Sequence, residues 1–217
     1  MPPPRSLQLV ARGRLITIEG IDGAGKTTLA AGLTAALRTR GIDVEALREP
    51  GGVVVAERIR ALVMDPALTV DARTEALLYA AARAQLVAER LEPTLAAGRS
   101  VLLDRFVDSS LAYQGAGREL GVDEVAGINR FATSGLRPDR TLLLVVPVAV
   151  GRARRGARAS DRIEQEGDDF FARIDAGYRA LADAEPERVR ILDASVAPAE
   201  LLASAAAEIA DLWGRGR

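Results

Sequence analysis

The 217-residue chain contains no cysteine and no histidine. Without thiols there are no disulfides and no thiolate zinc sites. Without imidazole the commonest general base is missing, and with it serine-type triads and most transition-metal sites. Aromatic residues are scarce, at 4%. A core must therefore be built from Ala, Leu, Val and Ile, within a hydrophobic share of 48% that is ordinary for a globular chain. No apolar run is long enough to cross a bilayer and the N-terminus has no signal-peptide core, so a soluble, cytoplasmic protein is expected. Neither sign of charge dominates: 29 basic side chains face 30 acidic ones, a net of -1. That balance gives no reason to expect nucleic acid or a membrane surface as partner. The chemistry must run on Lys, Arg, Asp, Glu, hydroxyls and backbone amides, with anions handled by local arginine clusters.

A single domain over residues 14–217 accommodates this length, behind a flexible extension, residues 1–13, with a proline-rich tip at Met1–Pro4. Five short apolar runs read as strands: Arg14 to Glu19, Val44 to Arg48, Ser100 to Leu103, Thr141 to Val146 and Val189 to Leu192. Helical stretches lie between them. Thr27 to Arg40 closes at Gly41; Thr74 to Ala97 is interrupted by Pro93 and stopped at Gly98; Pro198 to Trp213 comes last. Strands that do not alternate, separated by helices, predict a doubly wound five-stranded parallel α/β sheet flanked by helices. The polar, Gly/Arg-rich stretch from Gly151 to Gly156 reads as part of a mobile flap.

Gly20-Ile21-Asp22-Gly23-Ala24-Gly25-Lys26-Thr27, with Thr28 following, fits G-x-x-x-x-G-K-[ST] in full, directly after a strand and before a helix. Glycines let backbone N–H groups converge on a phosphate without Cβ obstruction, and the helix start adds its positive dipole end. Lys26 can reach β- and γ-phosphates, and the Thr27 hydroxyl can ligate Mg²⁺. A coincidental Gly-rich turn would not need that strand and that helix around it. Such a loop alone still does not separate kinases from switches or motors.

Two more strand ends open onto the same crevice in a doubly wound sheet. Arg48-Glu49-Pro50-Gly51-Gly52 follows the second strand and Asp104-Arg105-Phe106 the third. The arginines can fork onto a second phosphate group, and Glu49 and Asp104 can hold Mg²⁺ waters. A hydrolytic NTPase has no use for a second anion cradle; a kinase with a phosphorylated acceptor does. A phosphate monoester is largely dianionic at neutral pH, having a second pKa near about 6. It needs neutralisation rather than a general base, which explains how a chain without histidine can do this chemistry.

With these residues in view, the chain resembles the bacterial thymidylate kinase family, a P-loop nucleoside-monophosphate kinase type, from Arg14 to the C-terminus. The likeness rests on IEGIDGAGKTT (18–28), REPGG (48–52), TEALLYAAARAQ (74–85), DRFVDSSLAYQG (104–115) and DRIEQEGDDFF (161–171), in that order. The resemblance implies transfer of a phosphoryl group from ATP to dTMP, a Mg²⁺ requirement and a homodimer. It implies that Arg48 and Arg105 bind the dTMP phosphate and that Asp22 approaches the sugar 3′-hydroxyl. Tyr79 would stack on thymine; Arg83, Ser110 and Gln114 would hydrogen-bond the base or nearby waters; Tyr113 would crowd C2′ of the sugar. Metal-facing oxygens would come from Thr27, Glu49 and Asp104.

Gly151 to Arg162 matches the family's lid, with arginines at 152, 154, 155, 158 and 162. The variable positions of the phosphate loop carry no basic residue, so a lid arginine would supply the transition-state cation, Arg155 or Arg158 being the candidates. Lys26, Asp104, Arg105 and one of those two would then form the catalytic set. The chain departs from the family pattern at Val53, Leu86 and Val145 and in the extra residues 1–13. Two readings compete with this one: another P-loop kinase of nucleotides or small metabolites, and a nucleotide-dependent switch. The YAAARAQ and SSLAYQG segments, suited to a pyrimidine pocket, speak against the first. The absence of DxxG-type and NKxD-type motifs speaks against the second.

Overall fold

The computed structural model describes residues 11–156 and 161–214, without the side chain of Arg155. Strands β1 (Leu15–Glu19), β2 (Val44–Arg48), β3 (Ser100–Asp104), β4 (Arg140–Val145) and β5 (Val189–Asp193) form one all-parallel sheet in the order β2-β3-β1-β4-β5. Every residue of the central β1 is buried, whereas the edge strands β2 and β5 are only partly covered, leaving Ala46, Arg48, Ile191 and Asp193 exposed. Central parallel strands are covered on both faces, which is why LITIE and TLLLV are continuous apolar runs.

Alternate residues feed two separate cores. Ile16, Ile18 and Leu102 pack on one face with Leu29, Leu33 and Leu37 of α1 (Lys26–Thr39), with Phe170, Phe171 and Ile174 of α8 (Asp168–Ala184), and with Leu201 of α9 (Pro198–Glu208). Leu15, Val101 and Leu103 point the other way. They meet Ala56 of α2 (Val54–Met64), Ala82 and Leu86 of α3 (Ala72–Leu86), and Leu95 of the short α4 (Glu92–Ala96). Three further helices complete the described set: α5 (Val107–Ser110), α6 (Val122–Ala132) and α7 (Val148–Arg155).

The structure corrects several expectations. The long helix begins at Ala72 because Asp71 caps it, its carboxylate accepting the N–H groups of Arg73 and Thr74. It then widens into a π-helical turn at Val87–Leu91, and Pro93 sits in the first turn of α4, where its missing N–H costs nothing. A second π-helical segment, Leu111–Gly117, continues α5. The last helix stops at Glu208, and Ala210–Trp213 forms a 3₁₀ turn. At the inner end of the expected N-terminal extension, Gly13 is buried with its N–H on the Leu95 carbonyl, and Arg12 pairs with Asp139. The part of it at residues 1–10 lies outside the described residues. Gly151 to Arg155, expected as flap, continues helix α7, and Gly151 is buried against the phosphate loop. A Cβ on Gly23, at φ +80°, would meet the Gly151 carbonyl at 2.0 Å, so the loop and the helix touch through bare backbone.

Candidate active site

Parallel strands open their C-terminal ends onto one crevice, and here β1 has β3 on one side and β4 on the other. The crevice is a cavity of about 840 Å³, lined by the phosphate loop from Asp22 to Thr28 together with Arg48, Tyr79, Arg83, Asp104, Arg105, Ser110, Tyr113 and Gln114. That volume lies within the range of ligand pockets. Among the residues expected from the sequence, Gly20 and Ile21 frame the cavity indirectly, their carbonyls accepting from Lys26 Nζ at 3.1 and 2.9 Å. Register explains the convergence: Arg48 lies beside Asp104, and Asp104 beside Ile18.

Lys26, the only lysine of the chain, is the first residue of α1, where backbone N–H groups and the helix dipole face the cavity. Its ammonium is buried and lies 3.6 Å from Asp22 Oδ1. Burial and then the nearby Arg105 lower its pKa, against Asp22, Asp104 and Glu19, which raise it. An ammonium so placed gains a strong partner when a polyanion enters. Thr27 donates its hydroxyl to Asp104 Oδ2 at 2.9 Å. Among the described residues no three acidic side chains cluster around a metal-sized space. A hard cation with water and phosphate oxygens in its shell needs few protein oxygens, and Thr27 with Asp104 offers such a pair.

Glu49 does not join that pair. Arg83 donates to its Oε2 from Nε at 2.8 Å and approaches it with Nη2 at 2.6 Å. Glu49 Oε1 is buried without a hydrogen-bond partner among the described residues. Burial raises the Glu49 pKa and Arg83 lowers it, so this carboxylate serves as counter-ion to Arg83. Arg83 in turn is 1% exposed, with Nη1 also on Ser110 Oγ and on Asn129, and Nη2 on the Phe106 carbonyl. Its nitrogens are taken up by protein, so it stiffens the cavity wall.

Arg48, Arg60 and Arg105 bring three cations to the cavity wall. Arg48 and Arg60 each donate to the Pro50 carbonyl at 3.0 Å, and Arg48 also forks onto Glu57 at 2.9 Å. Burial and then Arg48 lower the pKa of Arg60. Two guanidiniums gathered on one carbonyl are a ready site for an anion. The sequence reading missed Arg60, which sits on α2 with no motif around it. Arg105 is the third cation, and its backbone is unusual, φ being +71°. A non-glycine residue there is strained by roughly 1–3 kcal/mol, which the surroundings must offset. Nη2 reaches Asp22 Oδ1 at 2.8 Å and the Tyr113 hydroxyl at 3.2 Å. Burial works against the Arg105 charge, but Asp22, Tyr113 and Tyr178 more than compensate and hold its pKa above the ordinary value.

Tyr79 and Tyr113 both edge the cavity, and burial pushes both phenols up. Gln114 donates Nε2 to Glu75 Oε1 at 2.8 Å. Because a carboxylate only accepts, the amide oxygen of Gln114 must face the other way. Lid arginines have protein partners where they are described: Arg152 with Asp168, Arg154 with the Ala194 carbonyl at 2.7 Å, and Arg162 with Glu75 at 2.6 Å. Arg158 and the side chain of Arg155 lie outside the described residues. Behind the cavity the sequence reading overlooked Glu19, Ser109 and Tyr178, which form one buried cluster. Burial and, next, Asp108 raise Glu19 to about 7, against the pull of Ser109, Arg105 and the Phe106 N–H.

Comparison with known proteins agrees with this geometry. Residues 18–204 match the family described as Thymidylate kinase. A thymidylate kinase of Bordetella petrii is 47% identical over 202 residues, covering 93% of this chain and 97% of the relative. That of Oenococcus oeni is 48% identical, covering 89% and 93%. That of Chromobacterium violaceum is 43% identical, covering 95% and 98%. A phosphate loop and a second cationic cradle sharing one cavity, at the ends of a 2-3-1-4-5 sheet, are thus carried by a chain that belongs to the thymidylate kinase family.

Proposed function

We propose that the chain transfers the γ-phosphoryl group of ATP to dTMP, giving ADP and dTDP. The observation that supports this reading best is the pairing, in one cavity, of the phosphate loop with Arg48, Arg60 and Arg105. An oxygen of the dTMP phosphate attacks the γ-phosphorus, the bond to the β–γ bridging oxygen breaks, and ADP leaves with that electron pair. Two polyanions must meet in line, and Lys26 on the donor and Arg105 on the acceptor reduce their repulsion. Mg²⁺ would be held by Thr27 and Asp104 and would neutralise donor phosphate charge. The Tyr79 ring is of the kind that stacks on a flat base. The reading includes a single domain, a cytoplasmic location and a homodimer. Val54, Val55, Leu62, Leu77 and Phe131 leave apolar area exposed on α2, α3 and α6 for the latter, and a monomeric mass by light scattering would refute it. A steady-state assay over a panel of nucleoside monophosphates tests the reaction itself: dTMP must be the preferred acceptor, and preference for a purine nucleotide would overturn the assignment.

The lid, at about residues 151–162, closes over ATP in this reading and delivers Arg155 or Arg158 to the transferring group. Movement is expected beyond Gly151, which is buried in α7, where an added Cβ would meet the Asp22 carbonyl oxygen at 2.7 Å. Substituting Arg155 or Arg158 by Ala is expected to lower kcat by about tenfold or more with little change in either KM. Arg154→Ala, which loosens α7 from Ala194, should mainly raise KM for ATP. If Arg155→Ala and Arg158→Ala both retain kcat within about threefold of the parent, the transition-state cation comes from elsewhere.

A further inference from the structure

Glu19 ends β1, is fully buried and does not itself line the cavity, yet three of its contacts lead to Arg105. Its Oε1 accepts the Phe106 N–H at 2.7 Å, immediately after the left-handed Arg105. Its Oε2 accepts the Ser109 hydroxyl at 2.5 Å and the Tyr178 hydroxyl at 2.9 Å. Those same two oxygens accept from Arg105 Nη1, at 3.1 and 3.4 Å. A guanidinium only donates and each hydroxyl has a single proton. A carboxylate that draws both protons toward itself leaves lone pairs on the side where Arg105 needs them. The other buried acid nearby, Asp108, is taken by Arg188 at 2.6 Å and by the Thr141 hydroxyl at 3.0 Å, and does not share this duty.

We propose that Glu19 is a positioning residue for the acceptor phosphate: it aims the Arg105 guanidinium through Ser109 and Tyr178 and pins the strained turn through the Phe106 N–H. This rests on the reading of Arg105 as an acceptor-phosphate contact. Glu19→Gln keeps the size and an acceptor for the Phe106 N–H, but its amide nitrogen donates to the hydroxyls and its charge is gone. It should raise KM for dTMP by about tenfold while KM for ATP stays within about twofold. Tyr178→Phe and Ser109→Ala each remove one relay and should shift KM for dTMP in the same direction by about threefold. Each effect should shrink when combined with Glu19→Gln, because the three act as one unit. A residue that only supports the fold would not separate the two Michaelis constants. Unchanged KM for dTMP in Tyr178→Phe and Ser109→Ala, or equal rises for both substrates in the three variants, overturns the proposal even if Glu19→Gln fails to fold. If the parent prefers a different nucleoside monophosphate, the function reading falls, and the same split measured with that acceptor still decides the role of Glu19.

Discussion

Lys26→Ala is expected to lower turnover by about a hundred- to a thousandfold or more, with a cooperative melting transition retained. The ammonium sits at the start of α1, where it rests on the Gly20 and Ile21 carbonyls. Both contacts are exchangeable for phosphate oxygens. Charge builds on the leaving ADP as the phosphoryl group moves, so the loss falls on the transition state more than on bound substrate and kcat should carry most of it. Stability should suffer little, because the native environment lowers the Lys26 pKa and so opposes its charge. Single-turnover kinetics with saturating nucleotides measures the first claim and differential scanning calorimetry the second. Near-normal turnover in Lys26→Ala would remove the phosphate loop from the mechanism.

Arg105→Ala should reduce kcat/KM for dTMP by about a hundredfold or more, while ATP binding changes by only a fewfold. Charge-assisted hydrogen bonds contribute about 1.5–3 kcal/mol each, and an incoming phosphate would compete for Arg105 Nη2 with Asp22 and the Tyr113 hydroxyl. Removing it also strips Asp22 Oδ1 of its 2.8 Å partner, which leaves a carboxylate facing the incoming anion. Titration calorimetry of each nucleotide separates the two sites. Lost ATP affinity with intact dTMP affinity would move Arg105 to the donor side. Arg105→Gly makes an informative companion: it relieves the φ of +71° that Ala must still adopt, so it should melt higher than Arg105→Ala and be equally poor with dTMP.

The parts of this site that the sequence made legible are the local ones. The phosphate loop announced itself because its chemistry is contained in eight consecutive residues. The strands did so because a sheet covered on both faces needs continuous apolar runs. Arg48 and Arg105 were found through strand ends and the crevice rule. What stayed hidden depends on distant pairing. Arg83 lies in an Ala-rich helix and gives no sign that Glu49, Ser110, Asn129 and Phe106 will close around it. Glu19 and Tyr178 are 159 positions apart, and only the packing of α8 under β1 makes them neighbours. The π-helical turn at Val87–Leu91 likewise answers to tertiary packing, since nothing in VAERL distinguishes it from α-helix formers.

One feature of the donor site has a practical side. Because arginine supplies every other cationic side chain, Lys26 is the sole ε-amine in the molecule. A protein grown with carbon-13 at the lysine ε position would therefore display one side-chain signal, with no assignment problem. That signal would move when a nucleotide enters the phosphate loop, and the free and occupied forms could be counted directly in the unmodified protein.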